Sequence, residues 1–148
     1  MGNQITYRAW NRKHKKMTIL DIECVGYYDD EYFKDGYDLM LCSYLEDRNK
    51  VKIYEDDILK GYDGKIYKVI FAFMGGGFYL DWYDKKKKIG GRENLSDYYN
   101  RVVHSGPSIS VLPGGYEDPN QTGVKYIKDH TPEIIGNKFE NKKLWNKI

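Results

Sequence analysis

Short apolar segments separated by strong turn signals constrain the fold of this chain more than any other feature. Leu20, Ile22 and Cys24 alternate with polar residues, which is the period-two pattern of a half-buried strand. Asp-Gly pairs at 35–36 and 63–64 are typical turn sequences. Further strand-like segments are predicted at residues 39–44, 51–54, 66–73, 78–82, 108–112 and 123–127. Short strands at such close spacing predict a small barrel or sandwich rather than alternating strands and helices.

One helix is predicted in the second half of the chain, from Leu95 to His104. Its apolar residues repeat at helical spacing, at positions 95, 98, 99, 102 and 103. Asn94 is a suitable N-cap, and Gly106 is suited to end the helix. The segment from residue 133 onwards is short and amphipathic, and it predicts a helical turn around Lys142–Trp145. The overall prediction is a mainly β protein with one or two short helices.

Composition favours one domain, residues 1–148, in a reducing compartment. The 15 Tyr, 5 Phe and 3 Trp residues suit half-buried sheet surfaces. No apolar run approaches the roughly 20 residues that a membrane span needs, so we expect no membrane partner and a cytoplasmic location in a bacterial cell. Cys24 and Cys42 are interpreted as buried thiols, because their spacing fits no metal motif. The net charge of +2 does not by itself indicate a polyanionic partner.

Three blocks of sequence carry a family resemblance. The first, residues 5–17, contains Tyr7, Arg8, Ala9 and Trp10. The second, residues 39–80, is centred on the charged turn and strand Asp47–Leu59, and the third, residues 133–145, contains Ile135–Asn141. In this order they resemble the YopX-like proteins of bacteriophages and prophages, a family without an assigned activity. Residues 83–131 match the pattern poorly, and we interpret them as a family-variable elaboration.

The resemblance implies an SH3-like barrel core with β-hairpin elaborations, and it implies no catalytic residues and no cofactor. Three positions depart from the family pattern, which usually has glycine where this chain has Tyr44, Lys50 and Asp56. Aspartate tolerates a left-handed backbone, so Asp56 is expected to keep its turn. Lysine tolerates it less well, so the turn from Asp47 to Val51 is expected to be longer or of another type.

No enzyme is predicted, and no catalytic, metal or cofactor-binding residues are assigned. The strongest competing pattern is the acidic triplet Glu55–Asp57 followed by Asp63–Lys65, which faintly resembles the carboxylates and lysine of a metal-dependent nuclease. We prefer a solvated turn in which Asp57 bonds to the local backbone. Several apolar residues are instead expected to be structural, held by core packing: Trp10, Tyr54, Ile58, Phe71 and Phe78.

Two binding hypotheses remain. The first is an accessory protein of a phage or prophage that contacts a protein partner or a second copy of itself. Its contact loop would be rich in aromatic residues and acids: Tyr27, Tyr28, Tyr32, Phe33 and Tyr37. The alternative is a weak, sequence-tolerant nucleic-acid-binding protein that uses a flexible basic loop at residues 85–92. The predicted contacts there are Lys85, Lys86, Lys87, Lys88, Arg92, Trp82 and Tyr83.

Overall fold

The computed structural model describes residues 6–21, 36–72, 74–103 and 129–148. The strands in these ranges are β1 (Thr6–Asn11), β2 (Lys16–Asp21), β3 (Tyr37–Glu46), β4 (Lys52–Tyr54), β5 (Asp57–Lys60), β6 (Ile66–Ala72), β7 (Gly77–Asp84), β8 (Ile89–Asn94) and β9 (Glu133–Asn137). Helix α1 (Leu95–Tyr98) continues as a π-helix (Tyr99–Val103), and helix α2 spans Lys142–Lys147. The protein is mainly β, with two sheets that include a curled half-barrel, which confirms the predicted fold class.

Both sheets are antiparallel. The first has the strand order β2-β1-β3-β4, and the second has the order β8-β7-β6-β5-β9. Most neighbouring strands are also consecutive in the chain, so short turns suffice to connect them. In the second sheet, Lys68 on β6, Asp81 on β7 and Arg92 on β8 lie directly opposite one another and therefore share one face.

The core forms where the opposite face of the second sheet packs against α1 and the π-helix. Its buried residues include Leu59, Val69, Leu80, Leu95 and Tyr98. A second, smaller cluster consists of Trp10, Met40, Cys42 and Tyr54. The predicted structural residues Trp10, Tyr54 and Ile58 are buried, whereas Phe71 and Phe78 are half-buried and in contact with each other, with ring centroids 5.1 Å apart.

A buried ion pair joins the two sheets. Arg8 on β1 places its Nη1 atom 2.7 Å from Oδ1 of Asp57 on β5, and the Asp57 side chain is fully buried. Arg8 also donates a hydrogen bond to the Glu55 carbonyl at 3.2 Å, and its guanidinium lies 4.8 Å from the centre of the Tyr54 ring. The contacts of Arg8 therefore connect the first sheet to the start of the second.

The three positions where the family usually has glycine all adopt a left-handed backbone. The φ angles are 63° at Tyr44, 65° at Lys50 and 68° at Asp56. The Lys50 amide donates to the Asp47 carbonyl at 3.0 Å, and the Asp47 amide donates to the Val51 carbonyl at 2.8 Å. Lys50 therefore keeps the left-handed turn instead of lengthening it.

Helix α1 begins as predicted. The Asn94 side chain accepts hydrogen bonds from the amides of Ser96 (2.9 Å) and Asp97 (3.2 Å), which makes it an N-cap. Within the described residues the helix runs to Val103, and after Tyr98 it widens to π geometry, a change that the apolar spacing does not reveal. Its predicted end at Gly106 lies outside the described residues. The predicted strands at 108–112 and 123–127, and also Cys24, lie outside the described residues.

Four strands lie outside the predicted strand segments: β1, β5, β8 and β9. Residues 89–92, expected to continue a flexible loop, belong to β8, and residues 133–137 form β9 at the other edge of the second sheet. A Cβ atom at Gly90 would lie 2.7 Å from the Trp82 carbonyl oxygen, and one at Gly91 would lie 2.8 Å from the Trp82 indole nitrogen. The glycines therefore permit close packing of β8 on β7, rather than indicating a loop.

Candidate functional site

The predicted basic run is the tight turn of the β7–β8 hairpin. Lys85–Lys88 are exposed. The Asp84 carboxylate accepts hydrogen bonds from the amides of Lys86 (2.9 Å) and Lys87 (3.1 Å), so the backbone is ordered by a side-chain-capped turn. The predicted loop is therefore a four-residue turn followed by β8, and its lysines form an exposed cationic tip.

The other predicted nucleic-acid contacts divide into occupied and accessible side chains. Arg92 forms a two-pronged ion pair with Asp81, at 2.6 and 2.7 Å. Trp82 packs against the main core cluster, and the Lys65 ammonium lies 4.3 Å from the centre of its ring. Tyr83 is 49% exposed. Of this group, Tyr83 offers the most accessible aromatic surface.

A groove that sequence reasoning missed lies beside the hairpin tip. Lys85 Nζ donates to the main-chain carbonyl of Asn146 on α2 at 3.3 Å, and Asn146 lines the groove. The volume of this aromatic groove is about 480 Å³. Three aromatic residues line it: Trp10, Phe139 and Trp145. Trp10 and Phe139 are stacked, with ring centroids 5.6 Å apart and planes inclined by 23°, while Phe139 and Trp145 are half-buried.

Positive charge dominates the lining of the aromatic groove. Its cations are Arg12, Lys15, Lys138 and Lys142, against the single carboxylate of Asp38. Arg12 binds Asp38 through both carboxylate oxygens, and this hydrogen bonding holds the pKa of Asp38 below its usual value. In the part of the chain that the structure describes, Lys15 and Lys142 form no ion pair. Both side chains are exposed.

A second, smaller pocket of about 260 Å³ lies on the outer face of the second sheet. Its lining includes Lys68, Tyr83 and Arg92, together with Ile148 beyond α2. The Lys68 ammonium lies 4.7 Å from the centre of the Trp145 ring. Because Trp145 lines the aromatic groove, this cation–π contact lies between the two cavities.

The three carboxylates of the acidic triplet Glu55–Asp57 each have a different partner. Asp57 accepts a hydrogen bond from the Tyr54 amide at 2.8 Å, and Glu55 accepts one from the Leu41 amide at 3.3 Å. Asp56 lies 3.9 Å from the Lys138 ammonium. Within residues 6–21, 36–72, 74–103 and 129–148, no group of three or more His, Cys, Asp and Glu side chains could hold a metal.

The preferred interpretation of this triplet is correct for the bonding of Asp57 and wrong for its solvation. Asp57 does bond to the local backbone, but its side chain is fully buried rather than solvated. This burial raises the pKa of Asp57 to about 6, against the opposing effect of Arg8. Sequence patterns around the turn do not indicate Arg8, because it comes from a distant strand.

The tyrosine-rich contact loop falls mostly in a part of the chain that the structure does not describe. Tyr27, Tyr28, Tyr32 and Phe33 lie outside the described residues. Tyr37 begins β3, and its hydroxyl accepts a hydrogen bond from the Asn11 side chain at 2.7 Å. That hydrogen bond connects β3 to β1, so the Tyr37 hydroxyl contributes to the packing of the first sheet.

Comparison with known proteins decides the family. A sequence model described as YopX protein matches residues 20–146. The chain belongs to the YopX family. The match runs through residues 83–131, which sequence reasoning treated as variable elaboration, and it begins after the Tyr7–Trp10 block. The aromatic groove of this YopX protein therefore combines residues inside the matched range with three, Trp10, Arg12 and Lys15, that precede it.

Other comparisons add no function. No curated protein matches this YopX chain. It is similar to a solved structure titled crystal structure of protein EF1440 from Enterococcus faecalis, with 17% sequence identity and a TM-score of 0.43, over 95% of this chain and 96% of that one. Among the described residues, no helix is long and apolar enough to cross a membrane.

The sequence held a partial signal for the aromatic groove. Trp10 belongs to the first family block, and Phe139 belongs to the third. Both blocks pair an aromatic residue with nearby cations, such as Arg12 and Lys142. Nothing in the sequence showed that these two blocks meet in space, because they lie at opposite ends of the chain.

Proposed function

We propose that this YopX protein acts by binding, and that the ligand of the aromatic groove is a single-stranded nucleic acid. The observation that carries the proposal is the combination, on one concave surface, of half-buried aromatic rings with lysines that form no ion pair within the described residues. Single-strand binders use the same combination, in which bases stack on aromatic side chains and lysines follow the phosphates.

The geometry supports a single strand over a duplex. The Lys138 ammonium lies 5.8 Å from the centre of the Phe139 ring and 5.7 Å from that of Trp145, so a base that stacks on either ring takes the place of this contact. Such stacking requires the face of an unpaired base, and a duplex keeps those faces inside its own stack. The groove volume of about 480 Å³ lies within the roughly 300–1,000 Å³ of ligand pockets. The hairpin tip is then a neighbouring source of positive charge, held close by the contact between Lys85 and Asn146.

Nucleic-acid binding is therefore preferred to the protein contact. The protein-contact hypothesis depends on five aromatic residues, four of which lie outside the described ranges. The groove depends on residues with defined contacts, and so it supplies the more specific proposal. In a bacterial cytoplasm, a protein encoded by a phage or prophage with such a groove would act as a non-enzymatic accessory factor on exposed single strands.

The first test removes the charges of two groove lysines, Lys15 and Lys142. We expect Lys15→Asn with Lys142→Gln to weaken binding of fluorescent oligothymidylate and oligouridylate, measured by anisotropy over a range of salt concentrations. The slope of log affinity against log salt should fall by about 0.7 for each phosphate that a lysine no longer neutralises. Asparagine suits position 15, where φ is 55°, so this substitution is not expected to strain the turn.

Neighbouring lysines provide the matched control. Lys16→Gln with Lys143→Gln removes the same charge from the same two segments, but neither residue lines the groove. We expect this control to keep most of the affinity and most of the salt slope. Equal reductions in both double variants would overturn the assignment to the groove, and no binding of any single strand at low salt would overturn the function itself.

A further inference from the structure

We propose that the smaller pocket is a second base-stacking subsite, so that a bound single strand crosses α2 from the aromatic groove to Tyr83. This inference rests on the proposed function and extends it from a single groove to a track. The substrate class becomes a strand of several nucleotides rather than a nucleotide or a strand end.

The two cavities share one junction. Trp145 lines the aromatic groove, and Lys68 lines the smaller pocket. The Lys68 ammonium and the Trp145 ring are in cation–π contact, with 4.7 Å between the nitrogen and the ring centre. A chain leaving one cavity over this contact enters the other directly.

Cations lie along this path where phosphates would pass. In the described part of the chain, Lys68 has no carboxylate partner, and its charge meets only the face of the indole. Lys85 also reaches α2, through the Asn146 carbonyl. Neither contact neutralises the lysine charge, so both ammonium groups keep their attraction for phosphate.

The smaller pocket offers an aromatic face at its end of the path. Tyr83 is 49% exposed and lies on the same face of the sheet as Lys68 and Arg92. Arg92 is held by Asp81 in a two-pronged ion pair, which fixes the pocket wall. Tyr83 is therefore the expected stacking platform, since stacking needs an accessible ring on a rigid support.

Helix α2 is suited to serve as the fixed ridge between the cavities. Its first turn is anchored by Asn141, whose side chain accepts a hydrogen bond from the Asn137 amide at 3.0 Å. Position 136 is glycine, and a Cβ atom there would collide with that same Asn141 side chain. None of the α2 side chains is fully buried, so the ridge keeps surface for a ligand.

The experiment measures affinity against strand length. Oligothymidylates and oligouridylates from about two to about twelve nucleotides would be titrated against four proteins: the wild type, Tyr83→Ala, Trp145→Ala and Tyr62→Ala. Tyr62 is the matched control, because it is similarly exposed but lines neither cavity of the track. Thermal unfolding of each variant would confirm that the fold is retained.

We expect wild-type affinity to rise with length until both cavities are filled. Tyr83→Ala should weaken the binding of long strands by roughly 5- to 150-fold and leave the shortest unaffected, whereas Trp145→Ala should weaken both. If short and long strands bind the wild type equally, or if Tyr62→Ala matches Tyr83→Ala, the track is overturned and the groove stands. If no strand of any length binds the wild type, the proposed function falls together with the track.

Discussion

Several residues other than glycine adopt a left-handed backbone conformation, which side chains disfavour. Tyr44, Lys50 and Asp56 all have φ between 60° and 70°, a region that costs most non-glycine residues roughly 1–2 kcal/mol. Asp56 belongs to a residue type that tolerates this conformation, and Tyr44 sits at a register shift between β3 and β4. Lys50 is exposed and has neither of these features, so it is the position where strain is best tested.

Lys50→Gly is expected to stabilise the protein. Glycine removes the left-handed strain, and its own entropic cost of roughly 0.5–1 kcal/mol is smaller than the strain relieved. We expect the free energy of unfolding to rise by about 0.5–1 kcal/mol in urea denaturation. Lys52→Gly is the control, since Lys52 lies in β4 without positive φ and glycine should destabilise it. A decrease of stability in both variants would show that Lys50 is unstrained.

At the scale of elements, two adjacent tyrosines attach the helical segment to the sheets in different ways. Tyr99 donates its hydroxyl hydrogen to the Glu46 carbonyl at the end of β3. Tyr98 is 1% exposed, and among the described residues its hydroxyl has no hydrogen-bond partner. Its ring packs edge-on against Tyr67, with centroids 5.6 Å apart, so its contribution comes from packing.

Removing each hydroxyl should therefore change the free energy of unfolding differently. We expect Tyr99→Phe to lower the free energy of unfolding by about 1 kcal/mol, because it removes a hydrogen bond. Tyr98→Phe should be neutral or stabilise by up to about 1 kcal/mol, because it removes a buried polar group without a partner. Chemical denaturation of the two variants side by side provides the comparison. A clear destabilisation in Tyr98→Phe would indicate that its hydroxyl has a partner outside the described ranges.

At the scale of the whole molecule, the Arg8–Asp57 pair connects the two sheets, but burying its carboxylate costs desolvation free energy. Removing a carboxylate from water disfavours its charged form, and Arg8 offsets only part of this penalty. The pKa of Asp57 rises from an ordinary value of 3.8 to about 6. Between these two pH values the folded protein binds more protons at this site than the unfolded chain does. The contribution of Asp57 to the free energy of unfolding is therefore fully present below about pH 4 and is lost as the pH rises through about 6.

Asp57→Asn should remove this pH dependence. The pKa shift corresponds to about 3 kcal/mol at about 1.4 kcal/mol per pH unit. We expect the free energy of unfolding of the wild type, minus that of Asp57→Asn, to fall by up to about 3 kcal/mol between pH 4 and pH 7. Denaturant titration at each pH measures both values. A relative stability that rises over this range would mean that Arg8 lowers the pKa of Asp57 more than burial raises it.

Local sequence patterns determined most of the elements of this protein. Period-two alternation, the turn sequences and the Asn94 cap depend on neighbouring residues alone, so the mainly β class, the start of α1 and the YopX family could be read without a structure. The strand β8 could not, because Gly90 and Gly91 resemble a loop until Trp82 is seen to pack against them. The change to π geometry after Tyr98 likewise leaves no local signal.

The tertiary structure alone decided where charge and aromatic surface meet. Asp57 lies beside other acids in the sequence, yet its burial and its pKa depend on Arg8 from a strand of the other sheet. The aromatic groove joins residues near Trp10 with residues near Trp145. Such contacts follow from how the sheets and α2 pack, and packing depends on the whole set of distant partners. Local sequence patterns therefore determined most of the elements, and the packing of all the elements determined the groove and the buried ion pair.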